Sequence, residues 1–202
     1  MSDESNIMPS VEYLVDALAG PRRRTRQEAA HCLALEAHKD AAQLAPFVDD
    51  LIDALYRPEA QTRWEVFDAL GEVALINADS VADGFDGAEA SLFDEDSATV
   101  RLAAFRFLCR LGASSPERSD AAWSLLDEAI QCYHGNPEYH DMLLALLEFS
   151  KGDLSDKTRD AVVTRMGFDA ENGQSFMRAC STQIISAAKA RSDGGKGVAR
   201  GF

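Results

Sequence analysis

The chain is short of positive charge, paired cysteines, long apolar runs and β-branched alternation, and each shortage removes a class of protein. Twenty Lys and Arg face 34 Asp and Glu, a net charge of −14. That balance repels phosphate backbones at long range, so nucleic acid is disfavoured as a general partner. The four cysteines, Cys32, Cys109, Cys132 and Cys180, form no Cys-x-x-Cys pair that would signal zinc or thiol exchange. In a reducing compartment they are expected as free thiols, at least three of them packed as small apolar groups. No stretch reaches the ~18 uncharged apolar residues of a membrane helix. The opening Met1-Ser-Asp-Glu-Ser-Asn6 has no basic segment leading into an apolar one, so the expectation is a cytoplasmic protein without a secretory signal. Gly-rich phosphate loops, Gly-x-Ser-x-Gly elbows and His-Glu-x-x-His motifs are also missing. No catalytic residues, no metal and no cofactor are therefore expected.

What the chain does have is 202 residues, 46% of them hydrophobic, and an internal repeat. At an offset of 37, Val11-Glu-Tyr-Leu-Val-Asp-Ala-Leu18 falls on Val48-Asp-Asp-Leu-Ile-Asp-Ala-Leu55, and Pro21 on Pro58. Thr25-Arg26-x-Glu28 meets Thr62-Arg63-x-Glu65, Leu33 meets Leu70, and Ala37 meets Ala74, giving 11 identities in 27 gap-free positions. A third copy with one extra residue places Leu92, Arg101, Phe105 and Leu108 opposite Leu55, Arg63, Phe67 and Leu70. A fourth is carried by Leu126, Ile130, Leu143, Leu146 and Leu147, and a fifth only by helical pattern.

Each copy reads as two helices joined by a turn. Val11, Leu14, Val15 and Leu18 recur at helical spacing, and Gly20-Pro21 supplies a stop. Thr25-x-x-Glu28 and Thr62-x-x-Glu65 read as capping boxes opening the second helices, and Asn136-Pro137 as another helix start. The expected architecture is all-α: a right-handed superhelix of about five stacked hairpins, near residues 9–38, 46–78, 86–112, 116–150 and 155–190. A flexible Gly-rich tail is expected over 191–202. Leu33, Leu70 and Leu108 should occupy equivalent core positions in successive layers.

The stretch Thr62-Arg-Trp-Glu-Val-Phe-Asp-Ala-Leu-Gly-Glu-Val-Ala74 resembles the second helix of HEAT repeats, of the armadillo-type α-solenoid class. Thr25-Arg-Gln-Glu-Ala-Ala-His-Cys-Leu-Ala34 and Thr99-Val-Arg-Leu-Ala-Ala-Phe-Arg-Phe-Leu108 are looser versions, and Gly84-Phe-Asp-Gly-Ala-Glu-Ala-Ser91 departs from a regular first helix. The resemblance implies a solenoid whose second helices line a concave binding surface. HEAT-like arrays include binding scaffolds, bilin lyase subunits and alkylated-base DNA glycosylases.

Two rows stand out. Arg26, Arg63 and Arg101 share one place at the start of successive second helices, either as structural ties to carboxylates or carbonyls such as Asp16 or Asp53, or as a grip on an acidic ligand. One position further on, Gln27 aligns with Trp64 and Leu102, His31 with Asp68 and Arg106, and Leu35 with Glu72 and Arg110. Helical spacing turns these away from the layer cores, toward the concave side. Trp64 is either an interface anchor or a residue packed under the next hairpin. Residues 64–100 carry ten acids and no Lys or Arg, a solvated segment or a docking surface for a basic partner. Cys132, His134, His140 and Asp141 match no established zinc spacing. The leading expectation is a non-enzymatic scaffold that binds another protein or peptide, with a glycosylase-like enzyme or a bilin lyase-like chaperone as the alternatives.

Overall fold

The structure, a computed structural model, describes residues 9–194, and among these no strand occurs. Two compact units divide the chain, residues 1–83 and 84–202.

The first unit contains α1 (Val11–Ala19), α2 (Arg23–Asp40), a 3-10 stretch Ala41–Phe47, α3 (Val48–Ala54) and α4 (Ala60–Ile76). The starts of α1 and α3, and those of α2 and α4, both lie 37 residues apart. The sequence offset is thus the structural period. α1 packs on α2 and α3 on α4, while α2 lies along α4 and α1 against α3, so two hairpins stack in register. Leu33 and Leu70 are fully buried between them, with Leu14, Leu18, Leu51 and Phe67.

The second unit contains α5 (Phe85–Leu92), α6 (Ala98–Gly112), α7 (Pro116–Cys132), α8 (Tyr139–Ser150), α9 (Asp156–Asn172) and α10 (Ser175–Gly194). α6 begins 38 residues after α4, which is the extra residue of the third copy. α6, α8 and α10 pack in succession, α5 packs on α6, and α9 packs along both α7 and α10. α7 lies closer to α6 than to α8. Gly112 makes that approach possible, since a Cβ there would sit 2.7 Å from the Ala122 Cβ and 3.0 Å from Phe149. Leu108 is fully buried, as are Phe105, Leu126, Leu143 and Leu146. α10 is still helical at 191–194, where the tail was expected to start, and the rest of that tail lies outside the described residues.

Helix starts differ from expectation. Neither Thr25 nor Thr62 caps its helix: α2 begins behind Arg22 and α4 behind Glu59, with no side-chain cap bond at either. Pro21 and Pro58 end the preceding turn, and the chain enters the helix after one extended residue, which carries both threonines into the first turn. Pro137 likewise precedes the N-cap Glu138 and lies outside α8. Serine does the capping elsewhere. Ser10, Ser97, Ser115 and Ser155 each accept from the N–H three residues on, at α1, α6, α7 and α9. All four cysteines are free; Cys109 and Cys180 are buried, Cys32 is half-buried, and Cys132 is exposed, one fewer in the core than expected.

Candidate functional site

The arginine row is built into the frame of each unit. Arg26, in the first turn of α2, donates through Nη1 to the Gly20 carbonyl at 2.9 Å. Its Nε and Nη2 grip the two oxygens of Glu59, the N-cap residue of α4. Both side chains are buried. Arg101, at the same place in α6, donates through Nη1 to the Asp94 carbonyl at 2.7 Å and through Nη2 to Glu138, the N-cap residue of α8. Its guanidinium also lies 4.8 Å over the Tyr133 ring. Arg159 repeats the backward reach from α9, donating to the Gly152 carbonyl at 3.0 Å and the Ala188 carbonyl at 3.2 Å. Asp16 and Asp53, the expected partners, are exposed instead. The reason is directional: side chains lean toward their helix N-terminus, which aims an arginine in the first turn at the preceding turn and the next helix cap. Hydrogen bonds from Arg26 hold the Glu59 carboxyl below the usual glutamate range. Burial pushes Glu138 up, but Arg101 and the residue's own amide outweigh it, and the net direction is down. Arg63 is half-buried at the equivalent place in α4.

None of the nine residues of the second row is buried: three are exposed and six half-buried. In the first unit Gln27 is half-buried and His31 and Leu35 are exposed on α2, while Trp64, Asp68 and Glu72 are half-buried on α4. Imidazoles on α2 meet carboxylates on α4. His31 Nδ1 lies 3.0 Å from Glu65 Oε1. His38 Nε2 lies 2.7 Å from Asp68 Oδ2, and its Nδ1 3.3 Å from Glu72 Oε1. In the second unit Leu102 and Arg110 are half-buried and Arg106 is exposed on α6, with Arg106 Nη2 3.4 Å from Asp141 Oδ1 of α8. The row is thus a band of mixed charge in each unit, acidic on α4 around Trp64.

Sequence reasoning missed several groups. His38 lies two turns from His31 on α2, and its partners come from the next helix. His31 and Asp68 hold equivalent places, as do Leu35 and Glu72, and His38 one turn beyond Leu35 was the available signal. Cys132, His134 and His140 do not converge: Cys132 is exposed, His134 Nε2 lies 3.0 Å from Asp169 Oδ1, and the His140 ring lies 3.8 Å from that of Phe176. Among the described residues the gathered potential metal-ligand set is His38, Asp68 and Glu72. In the second unit, α7 and α9 frame a cavity of about 300 Å³ lined by Ile130, His134, Tyr139, Arg165, Phe168 and Asp169. Buried Asp169 accepts from Tyr139 Oη at 2.6 Å, and that buried phenol is pushed far up by desolvation and this bond. Arg165 donates from Nε and Nη2 to the two Asp127 oxygens. Of the residues lining the cavity only Ile130 carries the sequence period; His134 and Tyr139 fall between the marked positions of the fourth copy, and Arg165, Phe168 and Asp169 belong to the divergent fifth.

No protein-family model and no curated protein sequence matches the chain. Solved structures do. An engineered protein is 21% identical, covers 93% of this chain and 88% of its own length, and superposes with a TM-score of 0.69. Computationally designed armadillo repeat proteins for modular peptide recognition give a TM-score of 0.70 at 12% identity, covering 88% of this chain and 81% of theirs. A designed armadillo repeat protein in complex with the peptide (KR)4 gives 0.72 at 12% identity with the same coverage. No described helix is long and apolar enough to cross a membrane. The repeat period, the stacked hairpins and these superpositions together give the chain an armadillo-type helical repeat fold.

Proposed function

We propose that this chain is a non-catalytic docking module whose second helices hold an extended segment of a partner protein, with the first unit taking basic side chains. The observation that carries this reading is the α4 band: Trp64 stands half-buried beside Glu65, and Asp68 and Glu72 follow at successive turns of the same face. An aromatic ring flanked by carboxylates suits an aliphatic stem that ends in a cation, through stacking, cation–π attraction and ion pairing. The designed armadillo relative that carries (KR)4 holds a peptide of that chemistry on the same fold. A phosphate-binding groove would need cations where α4 presents acids, so the base-excision alternative has no matching surface there.

The test is fluorescence anisotropy with a labelled alternating Lys-Arg octapeptide at physiological ionic strength, beside a Glu-Asp octapeptide. The basic peptide should bind and the acidic one should not. Trp64→Ala should weaken binding about tenfold, the scale of a modest interface anchor. Equal binding of both peptides, or no effect of Trp64→Ala, removes the reading.

A further inference from the structure

We propose that His38, Asp68 and Glu72 form a site for a divalent transition-metal ion of the Zn²⁺ class, bridging α2 and α4. The three residues each offer one ligand atom, and these atoms lie within 4.8 Å of one another. Asp68 and Glu72 are one helical turn apart on α4, so their carboxylates rise on the same face, and His38 reaches them from the last turn of α2. Bonds of about 2.1 Å in tetrahedral geometry require ligand atoms roughly 3.4 Å apart. His38 Nε2 lies 2.7 Å from Asp68 Oδ2 and Nδ1 lies 3.3 Å from Glu72 Oε1, both inside that spacing, and because one ion takes only one of the two ring nitrogens, a turn of the imidazole and of one carboxylate opens the set around it.

Charge and access agree with geometry. Two carboxylates and a neutral imidazole present two negative charges to a divalent cation. The imidazole nitrogen selects Zn²⁺ or Co²⁺ over Mg²⁺ and Ca²⁺, which prefer all-oxygen shells. The side chains of His38 and Asp68 are 46% and 41% exposed, which leaves an entry path and room for water in the remaining positions. Glu72 is only 18% exposed and anchors the inner edge. The ligands come from two hairpins that pack by apolar contact, so a bound ion fastens the first unit across its repeat boundary. The site shares Asp68 and Glu72 with the proposed docking band but needs no peptide, so either idea can fail alone.

The test uses the full chain stripped by chelator and titrated with Co²⁺ and Zn²⁺ in excess Mg²⁺, which occupies the acidic surface at large. The expected result is saturable binding of one ion per chain, with visible Co²⁺ absorption that shows a nitrogen ligand. His38→Gln keeps every carboxylate and should weaken binding at least tenfold, as should Glu72→Gln, while Asp83→Asn leaves it unchanged. In the unmodified chain, Zn²⁺ should shift one set of histidine ring NMR signals among four, the set that His38→Gln removes. Absence of a saturable site, or unchanged binding by His38→Gln, overturns the assignment and leaves cations held only by diffuse negative charge.

Discussion

Leu33 and Leu35 are the same residue type two positions apart on α2, and the fold gives them opposite surroundings. Leu33 is 0% exposed in the layer between hairpins, and Leu35 is 42% exposed in the outer row. Leu33→Ala removes three buried carbon groups at about 0.8 kcal/mol each, roughly 2.4 kcal/mol of transfer free energy. A residual cavity of roughly 60 Å³ at about 24 cal/mol per Å³ adds roughly 1.4 kcal/mol. The better helix propensity of alanine returns about 0.2 kcal/mol. The net cost is roughly 3.5 kcal/mol. Leu35→Ala forfeits about half the transfer and opens no cavity, so it costs roughly 1 kcal/mol. Urea unfolding followed by tryptophan emission measures both, because the two tryptophans fall one in each unit. A Trp123→Phe background leaves Trp64 as the reporter of the first. Trp123 itself stacks on Phe149 with ring centroids 6.2 Å apart, a contact that phenylalanine keeps in part. Equal costs for the two leucines, or a Leu33→Ala cost below about 1 kcal/mol, would refute the layer assignment.

Two glycines should respond oppositely to alanine. At Gly152 an added Cβ would lie 2.5 Å from the Ala113 Cβ and 2.6 Å from the Ala113 carbonyl oxygen, so Gly152→Ala costs about 1–3 kcal/mol in thermal unfolding. At Gly167, inside α9, an added Cβ meets nothing within 4 Å, and Gly167→Ala gains about 0.5–1 kcal/mol. Burial raises the Cys109 and Cys180 thiols, so a thiol reagent at neutral pH should label exposed Cys132 first and these two only on unfolding. Cys132→Ser should abolish the fast phase. Acid should loosen the arginine ties: the Glu59 and Glu138 carboxyls titrate lower when folded than unfolded. Their stabilisation is therefore complete above the ordinary glutamate range and lost as pH falls through the folded values. Glu59→Gln should flatten the acid limb of a stability–pH profile, and an unaltered limb would show that the pair contributes nothing.

The fold was legible because its period is written in apolar and turn residues. Leu33, Leu70 and Leu108 fall in line under the offset, and so do Pro21 and Pro58 where the chain breaks. The helix starts were less legible. Thr-x-x-Glu carries the chemistry of a cap, but Thr62 is fully buried inside α4, and only tertiary packing distinguishes a threonine in the first turn from one at its edge. The partners of the arginines were hidden for a related reason. Glu59 and Glu138 stand 33 and 37 residues beyond Arg26 and Arg101, and the N-cap place they hold on α4 and α8 is Arg22 on α2 and Ser97 on α6, so no acid recurs there from each copy to the next. The cavity between α7 and α9 had little sequence mark, since its lining joins faint fourth-copy positions to Arg165, Phe168 and Asp169 of a fifth copy that has lost the identities that make an offset visible.

In a stacked-hairpin array, register assigns roles more firmly than residue type does. Counted from the helix starts, Arg26, Arg63 and Arg101 are fourth in α2, α4 and α6, and Gln27, Trp64 and Leu102 are fifth. One step turns a helix by about 100°, which takes a side chain from the turn behind it to the open face. Arg26 therefore ties its own turn to the next helix cap, while the neighbouring place is free to vary between Gln, Trp and Leu without disturbing the frame. The ninth and thirteenth places continue that open face, holding His31 and Leu35, Asp68 and Glu72, then Arg106 and Arg110. Their charges change sign from helix to helix, although the buried leucines at the eleventh place do not. A constraint of packing acts on the buried set and not on the outer one. Packing fixes the buried leucines and the arginine ties within each unit and leaves the outer row of each helix free to carry its own charge, which is how one frame can present different chemistry from copy to copy.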